Sequence, residues 1–378
     1  MKTTARHSFR RAAVLATSLL TAALSAGAAA QLPPAAPARG SELVPYVVRP
    51  GDTLLGLAGR YFTRGGDYRA VQTVNRIADP DRLPVGGTLR IPRALLRDVP
   101  VEARVAAFRG SVTLDGAPAR IGAPVREGMR IETGANSGIS LTLEDRSTVS
   151  LPSQSAIRIE RLRKVAILGE MQRLFRLEAG RSQYAVTPST HPGDRFEIRT
   201  PVSVAAVRGT EFRVNVADDR ASATQEVVKG TVGVGGHGGD IALPAGYGAR
   251  SDATSVGKPI KLLDPPAISG PIWHKRDGSL TFGLTKVVGA VRYRVQIAAD
   301  PEFQDVRDDG TSDTPSISFA SAPIGTYFVR LTAIDADGLE GMPRNYPFEY
   351  RPSAGSDLPA GASRTKGGTA LHLAGAGP

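Results

Sequence analysis

The chain has 378 residues, a formal net charge of +11 and no cysteine. That length accommodates two or three domains. The missing cysteines exclude disulfides, a thiol nucleophile and a zinc–thiolate site. The basic excess is spread along the chain, apart from Arg158, Arg161, Arg163 and Lys164. Such a run is expected to be a solvated face, and anionic envelope polymers are the partner it would suit.

Lys2, Arg6, Arg10 and Arg11 form a basic start, followed by an Ala/Leu-rich apolar run from Ala12 to Gly27. Ala28, Ala29 and Ala30 before Gln31 fit signal-peptidase cleavage, so residues 1–30 are expected to be a signal peptide. The run is short and rich in small residues for a membrane anchor. Its removal takes four basic and no acidic residues, leaving +7 on residues 31–378. Arg10-Arg11 leaves both Sec and twin-arginine export open. The Pro/Ala-rich stretch 31–44 reads as a linker.

Residues 45–97 have an order that can be read physically. Tyr46-Val47-Val48 alternates as a strand, and Pro50-Gly51 turns the chain. Asp52 or Thr53 then caps a helix carrying Leu54, Leu57, Ala58 and Tyr61 at helical spacing. Thr63 to Asp67 is longer than a minimal helix connection. Tyr68, Val71, Val74 and Asn75 suggest a second helix, which Asp79-Pro80-Asp81 breaks. Gly86-Gly87 leads into a closing strand, Thr88 to Pro92, which gives β-α-α-β.

This segment resembles a LysM domain in its tyrosine-valine strand, GDTL turn, Asn at the end of helix two, Pro-Asp-x-Leu-x-x-Gly loop and Ile-Pro end. The resemblance implies recognition of N-acetylglucosamine-containing glycans, here peptidoglycan, in a groove between the first turn and the last loop. Carried onto this sequence, the groove residues are Gly51, Asp52, Thr53, Leu54, Ile77, Asp79, Pro80, Asp81 and Arg82. A purely structural role, with Asp52 and Thr53 capping and Pro80-Asp81 turning, is compatible with the same residues.

From Val101 to about Arg250 the sequence consists of short alternating runs punctuated by Gly, Asp and Pro, as in an all-β domain. In the stretch 199–216, Val202, Val204, Ala206, Phe212, Val214 and Val216 form one period-two apolar face. An unbroken register would put Arg208 and Thr210 on that face, where a guanidinium is costly unless paired. Val207-Arg208-Gly209-Thr210 shares its pattern with Phe108-Arg109-Gly110-Ser111 and Val228-Lys229-Gly230-Thr231. Three occurrences point to structural corners rather than to a catalytic site, with Arg109, Gly110, Arg208, Gly209, Thr210, Lys229 and Gly230 forming them. Residues 101–250, with Thr200-Pro201 before the Val-Arg-Gly-Thr-x-Phe strand, resemble the FecR domain, in a stacked or sandwich-like β architecture. Gly233 to Gly238 satisfies G-x-G-x-x-G, but it opens no helix and is read as a β-turn.

A linker over 251–269 leads to a third segment, 270–350, which resembles a fibronectin type III or immunoglobulin-like β-sandwich with Trp273 and Tyr327 in its core. The Gly/Ala/Ser/Pro-rich tail 351–378 is expected to be disordered. Overall, a multidomain, mainly β protein is expected. No nucleophile elbow, phosphate loop or His-x-x-x-His occurs, so no enzyme activity, metal, cofactor or nucleic acid is expected. The expected function is that of a non-catalytic peptidoglycan-binding protein of the Gram-negative periplasm or cell envelope, without an integral membrane segment after signal cleavage. It would present its β domains to another envelope protein. The alternative is FecR-type signal transduction, or sigma-factor regulation, from the periplasm.

Overall fold

The computed structural model describes residues 42–189, 191–270, 272–275, 279–320, 323, 325–350 and 368–371. The expected signal peptide, most of the first linker and the Trp273 side chain lie outside the described residues.

The first module pairs β1 (Leu43–Val47) antiparallel with β2 (Thr88–Pro92), so Leu43 and Val44 belong to a strand and not to the linker. Between them come helix α1 (Leu54–Tyr61) and helix α2 (Tyr68–Asn75). Thr53 Oγ1 caps α1 by accepting from the Gly56 amide at 3.0 Å. Leu54, Leu57 and Ala58 from α1 and Val71 from α2 are buried on the sheet residues Val44, Tyr46, Leu89 and Ile91. Gly65–Asp67 is a 3₁₀ turn, and Arg64 pairs with Asp67 across it.

The central domain has two sheets that close on one core as a barrel and share the long strand Met171–Ala185. In the first half of that strand, the neighbours are Ala156–Val165 and, in parallel, Arg195–Arg199. In the second half they are Thr148–Leu151 and Glu211–Val216. The chain passes from one sheet to the other at glycines with positive φ: Gly110 (69°), Gly180 (70°), Gly209 (80°) and Gly230 (86°). A Cβ on Gly209 would lie 2.6 Å from Pro188 Cα, and one on Gly110 2.4 Å from Ser137 Oγ. Only glycine satisfies both the left-handed backbone and the close approach.

The Gly209 corner corrects the single-face reading of residues 202–216. Ser203, Ala205 and Val207 face the core before the corner, and Phe212, Val214 and Val216 after it. The phase slips by one residue where the chain changes sheet, which leaves Val204 36% exposed. Arg208 therefore points out and donates to the His191 carbonyl at 3.1 Å. At the two other corners with the same basic-Gly-hydroxyl pattern, Arg109 donates to the Asn136 carbonyl at 2.8 Å, and Lys229 is exposed opposite Glu211. Thr210 is buried, its carbonyl accepting from Val186. The G-x-G-x-x-G stretch is the hairpin between Thr231–Gly236 and Gly239–Pro244.

The third module has two four-stranded sheets around one core that includes Tyr327, Phe282 and Phe348. Within the expected disordered tail, Gly368–Leu371 pairs with Ile272–Lys275 as an edge strand; the rest of 351–378 lies outside the described residues. Strand addition of this kind uses main-chain groups, to which side-chain composition is a poor guide.

Two interfaces join these parts. Val165 packs into the first module's core with Ile167 and Leu168 beside it, and Arg93 forms an ion pair with Glu170. At the other end, the fully buried Glu340 of the third module meets three arginines. Arg181 pairs with it, while Arg213 and Arg294 donate at 3.1 and 2.9 Å. Arg213 also reaches the Gly341 carbonyl at 2.8 Å, and Arg294 grips Asp309 at 2.8 and 2.6 Å. Burial alone would raise the Glu340 carboxyl, but the three guanidiniums overcome it and hold the group far below the carboxylate range.

Candidate glycan-binding groove

The first module brings the turn 51–54 and the loop 77–82 together. Their joint is a main-chain hydrogen bond from the Leu54 amide to the Pro80 carbonyl, 2.9 Å. Gly51 makes the turn at φ 84°, and no atom lies within 4 Å of the Cβ position it lacks. The turn is therefore open on that side.

Asp52 is committed internally. Its Oδ2 accepts from the Tyr46 hydroxyl at 2.7 Å and the Arg49 amide at 2.9 Å, and its Oδ1 from Arg60 at 2.8 Å. Burial would raise the carboxyl, yet these hydrogen bonds, Tyr46 first, hold it below its ordinary value. The Tyr46 hydroxyl is pushed up to about 12, by burial first and then by its bond to Asp52. Thr53 caps α1, and Leu54 is fully buried. Of the four residues in the turn, three have side chains that serve the fold.

In the facing loop, Asp79 Oδ1 accepts from the Asp81 amide at 2.9 Å, which shapes the turn through Pro80. Asp79, Asp81 and Arg82 are exposed, with Arg82 3.8 Å from Asp79, a solvent-screened pair of little energetic weight. Ile77 is half-buried against the core; its carbonyl accepts from the Gln72 side chain at 3.1 Å. The two loops thus present the apolar surfaces of Ile77 and Pro80 and a charged rim, while the amides of Asp52, Leu54, Ile77, Asp81 and Arg82 are bonded within the module.

Sequence reasoning did not find the residues that support this groove. Tyr46 and Arg60 hold Asp52 from six and eight residues away, and Gln72 holds Ile77. Asn75 clamps helix to sheet: its amide donates to the Val71 and Arg90 carbonyls, both at 2.8 Å, and its oxygen accepts from the Arg90 amide at 2.7 Å. The position of Asn75 at the end of a helical run was the signal, but its partner strand was not visible.

Among the described residues, no group of His, Asp and Glu could hold a metal ion, and no helix is long and apolar enough to cross a membrane.

Residues 46–92 match the LysM domain family and residues 129–233 match the FecR protein family. The chain therefore carries a LysM domain followed by a FecR domain, both non-catalytic modules, and the LysM domain supports glycan binding. No curated protein gives a significant match. Among solved structures, a protein assigned as an anti-sigma factor from Parabacteroides distasonis is 21% identical, with TM-score 0.29, over 35% of this chain and 58% of that one. This chain thus spans about 58% of that protein's length. The fibronectin type III domain of human collagen alpha-1(XX) is 16% identical, with TM-score 0.21, over 25% of this chain and 92% of that one.

Proposed function

We propose that the protein is a non-catalytic component of the cell envelope, held on peptidoglycan through residues 45–97 and presenting its FecR and third domains to an envelope partner. One observation carries the reading. The Leu54–Pro80 hydrogen bond draws the two loops into a single groove, while Asp52, Thr53 and Leu54 are taken up internally. Recognition then falls to the apolar surfaces of Ile77 and Pro80, which suit the methyl group of an N-acetylated sugar, and to main-chain carbonyls, whose second lone pair can still accept. The charged rim of Asp79, Asp81 and Arg82 is secondary.

The test is sedimentation of the purified protein with intact peptidoglycan sacculi. Retention is expected, with competition by chitin oligosaccharides and loss on replacing Pro80 by Asp. Retention unchanged by both would sink the groove. Deletion of the whole module is a poorer control, because it would bare Val165, Ile167 and Leu168.

A second reading, signal transduction of the FecR type, rests on the FecR match at 129–233. Full-length protein beginning at Met1 in a membrane fraction would favour it over anchoring.

A further inference from the structure

The outer face of the central domain carries a constellation that the glycan reading does not use. Four arginines stand opposite one another on four neighbouring strands: Arg130 faces Arg158, Arg158 faces Arg176, and Arg176 faces Arg199. The row continues through Val204 and Gly235 to Asp240. At about 4.8 Å per strand, the four arginines span about 14 Å.

Like charges directly opposite one another destabilise a sheet. Counter-charge is supplied here by sharing. Glu178 accepts from Arg130 at 2.6 Å and Arg158 at 3.1 Å, and Glu160 bridges Arg176 and Arg199. Glu132 adds a contact to Arg130, and Glu197 lies 3.7 Å from Arg199 but is held mainly by Arg195. With Arg220, which lines the same surface, and Arg195, six arginines meet four glutamates and Asp240, a formal excess of one positive charge. The four guanidiniums of the row remain about a third to nearly a half exposed (32–44%).

Concavity accompanies the charge. An open hollow of about 670 Å³ lies beside Arg176 and Arg199, lined on its other side by Val202, Val204 and Ala206. A second, of about 210 Å³, is lined by Arg130, Glu178 and Arg220, and both hollows share Arg176 and Pro201. No Phe, Tyr or Trp lines either hollow and His237 supplies only a small imidazole, so the broad flat stacking surface that sugars favour is missing. Valines beside arginines suit a chain that alternates acidic and apolar side chains.

We infer that this groove receives an extended acidic segment of a partner protein, its carboxylates on the arginine row and its apolar side chains against Val202 and Val204. This rests on the reading that the central domain presents a binding surface, and it is separable from the glycan groove. Failure here would leave retention on sacculi unaffected.

The test is fluorescence anisotropy of the whole protein with a labelled eight-residue peptide of alternating glutamate and valine. A lysine–valine peptide and polygalacturonate, a carboxylated glycan, serve as comparison probes. Saturable binding is expected, weakening about tenfold or more between about 50 and about 300 mM NaCl. The Arg176→Gln/Arg199→Gln protein should lose about tenfold or more in affinity. Because that variant leaves Glu160 without its partners, Arg220→Glu on an exposed turn provides an independent charge test and should also weaken binding. Val204→Ser should weaken the glutamate–valine peptide and leave polyglutamate unchanged. Binding no tighter than that of the lysine–valine peptide, or affinity unmoved by both arginine variants, would overturn the inference. Tighter binding of polygalacturonate, lost in the same variants, would overturn the choice of a protein partner.

Discussion

Glu340→Gln is the perturbation whose cost can be worked most directly from the structure. Removing one partner of a buried ion pair typically costs about 3–5 kcal/mol, because the remaining charge is left uncompensated. Two of the three arginines here keep other partners. Arg294 retains both bonds to Asp309, and Arg213 retains the carbonyls of residues 340 and 341. Arg181 is 16% exposed at its side chain and reaches solvent more easily. The expected cost therefore sits at the low end, about 3 kcal/mol. For about 250 cooperative residues that lowers Tm by roughly 6–12 °C. Urea unfolding, followed by far-UV circular dichroism and by limited proteolysis of the third module, measures it. The pH dependence has a definite sign. Glu340 is held below its unfolded value, so its contribution is complete above about pH 4.3 and is lost as pH falls through the lower folded value. The wild-type-minus-variant difference should thus shrink on acidification below pH ~4. A loss under about 1 kcal/mol at pH 7, with the module still protected, would refute a buried, coupled network.

Asp52→Asn should cost about 1.5 kcal/mol at neutral pH through the weakened bond from Arg60. Because the Asp52 carboxyl is held low, that difference should close as pH falls below about 4, as followed by hydrogen exchange of the Leu54 amide. Gly209→Ala combines a left-handed backbone with a 2.6 Å approach to Pro188 and should destabilise the protein by about 2–3 kcal/mol. Arg208→Ala, which removes one exposed hydrogen bond, should cost about 0.5 kcal/mol; equal losses for the two would argue against a corner set by glycine. Asn75→Ala frees both the amide and the carbonyl of Arg90 and should cost about 1–2 kcal/mol in urea unfolding, with weaker retention on sacculi.

Much of the fold is written in local pattern. Thr53 before Leu54, Leu57 and Ala58 is a cap followed by a helical stripe, and the structure shows that cap and that buried face. The short central runs bury alternate residues, as Arg130–Thr133 and Thr148–Leu151 do. Phase across a corner is not local. Val204 and Ala206 share a period with Phe212 and Val214, and only the change of sheet at Gly209 shows that the two sets face opposite ways. The fourth corner, Gly180, escaped notice because its basic residue follows the glycine instead of preceding it. Ionic partners are less legible still. Arg213 and Glu340 are 127 residues apart, and in the run Arg158 to Lys164, expected to be a solvated face, Glu178, Glu127 and Glu144 neutralise three of the four basic members. The arginine row needs the strand order as well, including the parallel pairing that sets Arg176 against Arg199.

One strand ties these features together. Met171–Ala185 begins next to Glu170, which pairs with Arg93 of the first module. Its buried Arg173 lies over the Phe196 ring and pairs with Asp145, fixing that end in the core. Arg176, three residues on, stands in the middle of the arginine groove. After the change of sheet at Gly180, Arg181 reaches Glu340 of the third module. The contact to the glycan-binding module, the groove and the contact to the third module are therefore spaced along fifteen residues of continuous β-structure. A strand hydrogen-bonded on both sides has little freedom to bend except at its glycine. If the LysM domain fixes the protein on a glycan layer, the same strand sets how the arginine groove is presented from that layer. Partner binding should then depend on Gly180 as well as on the arginines that line the groove.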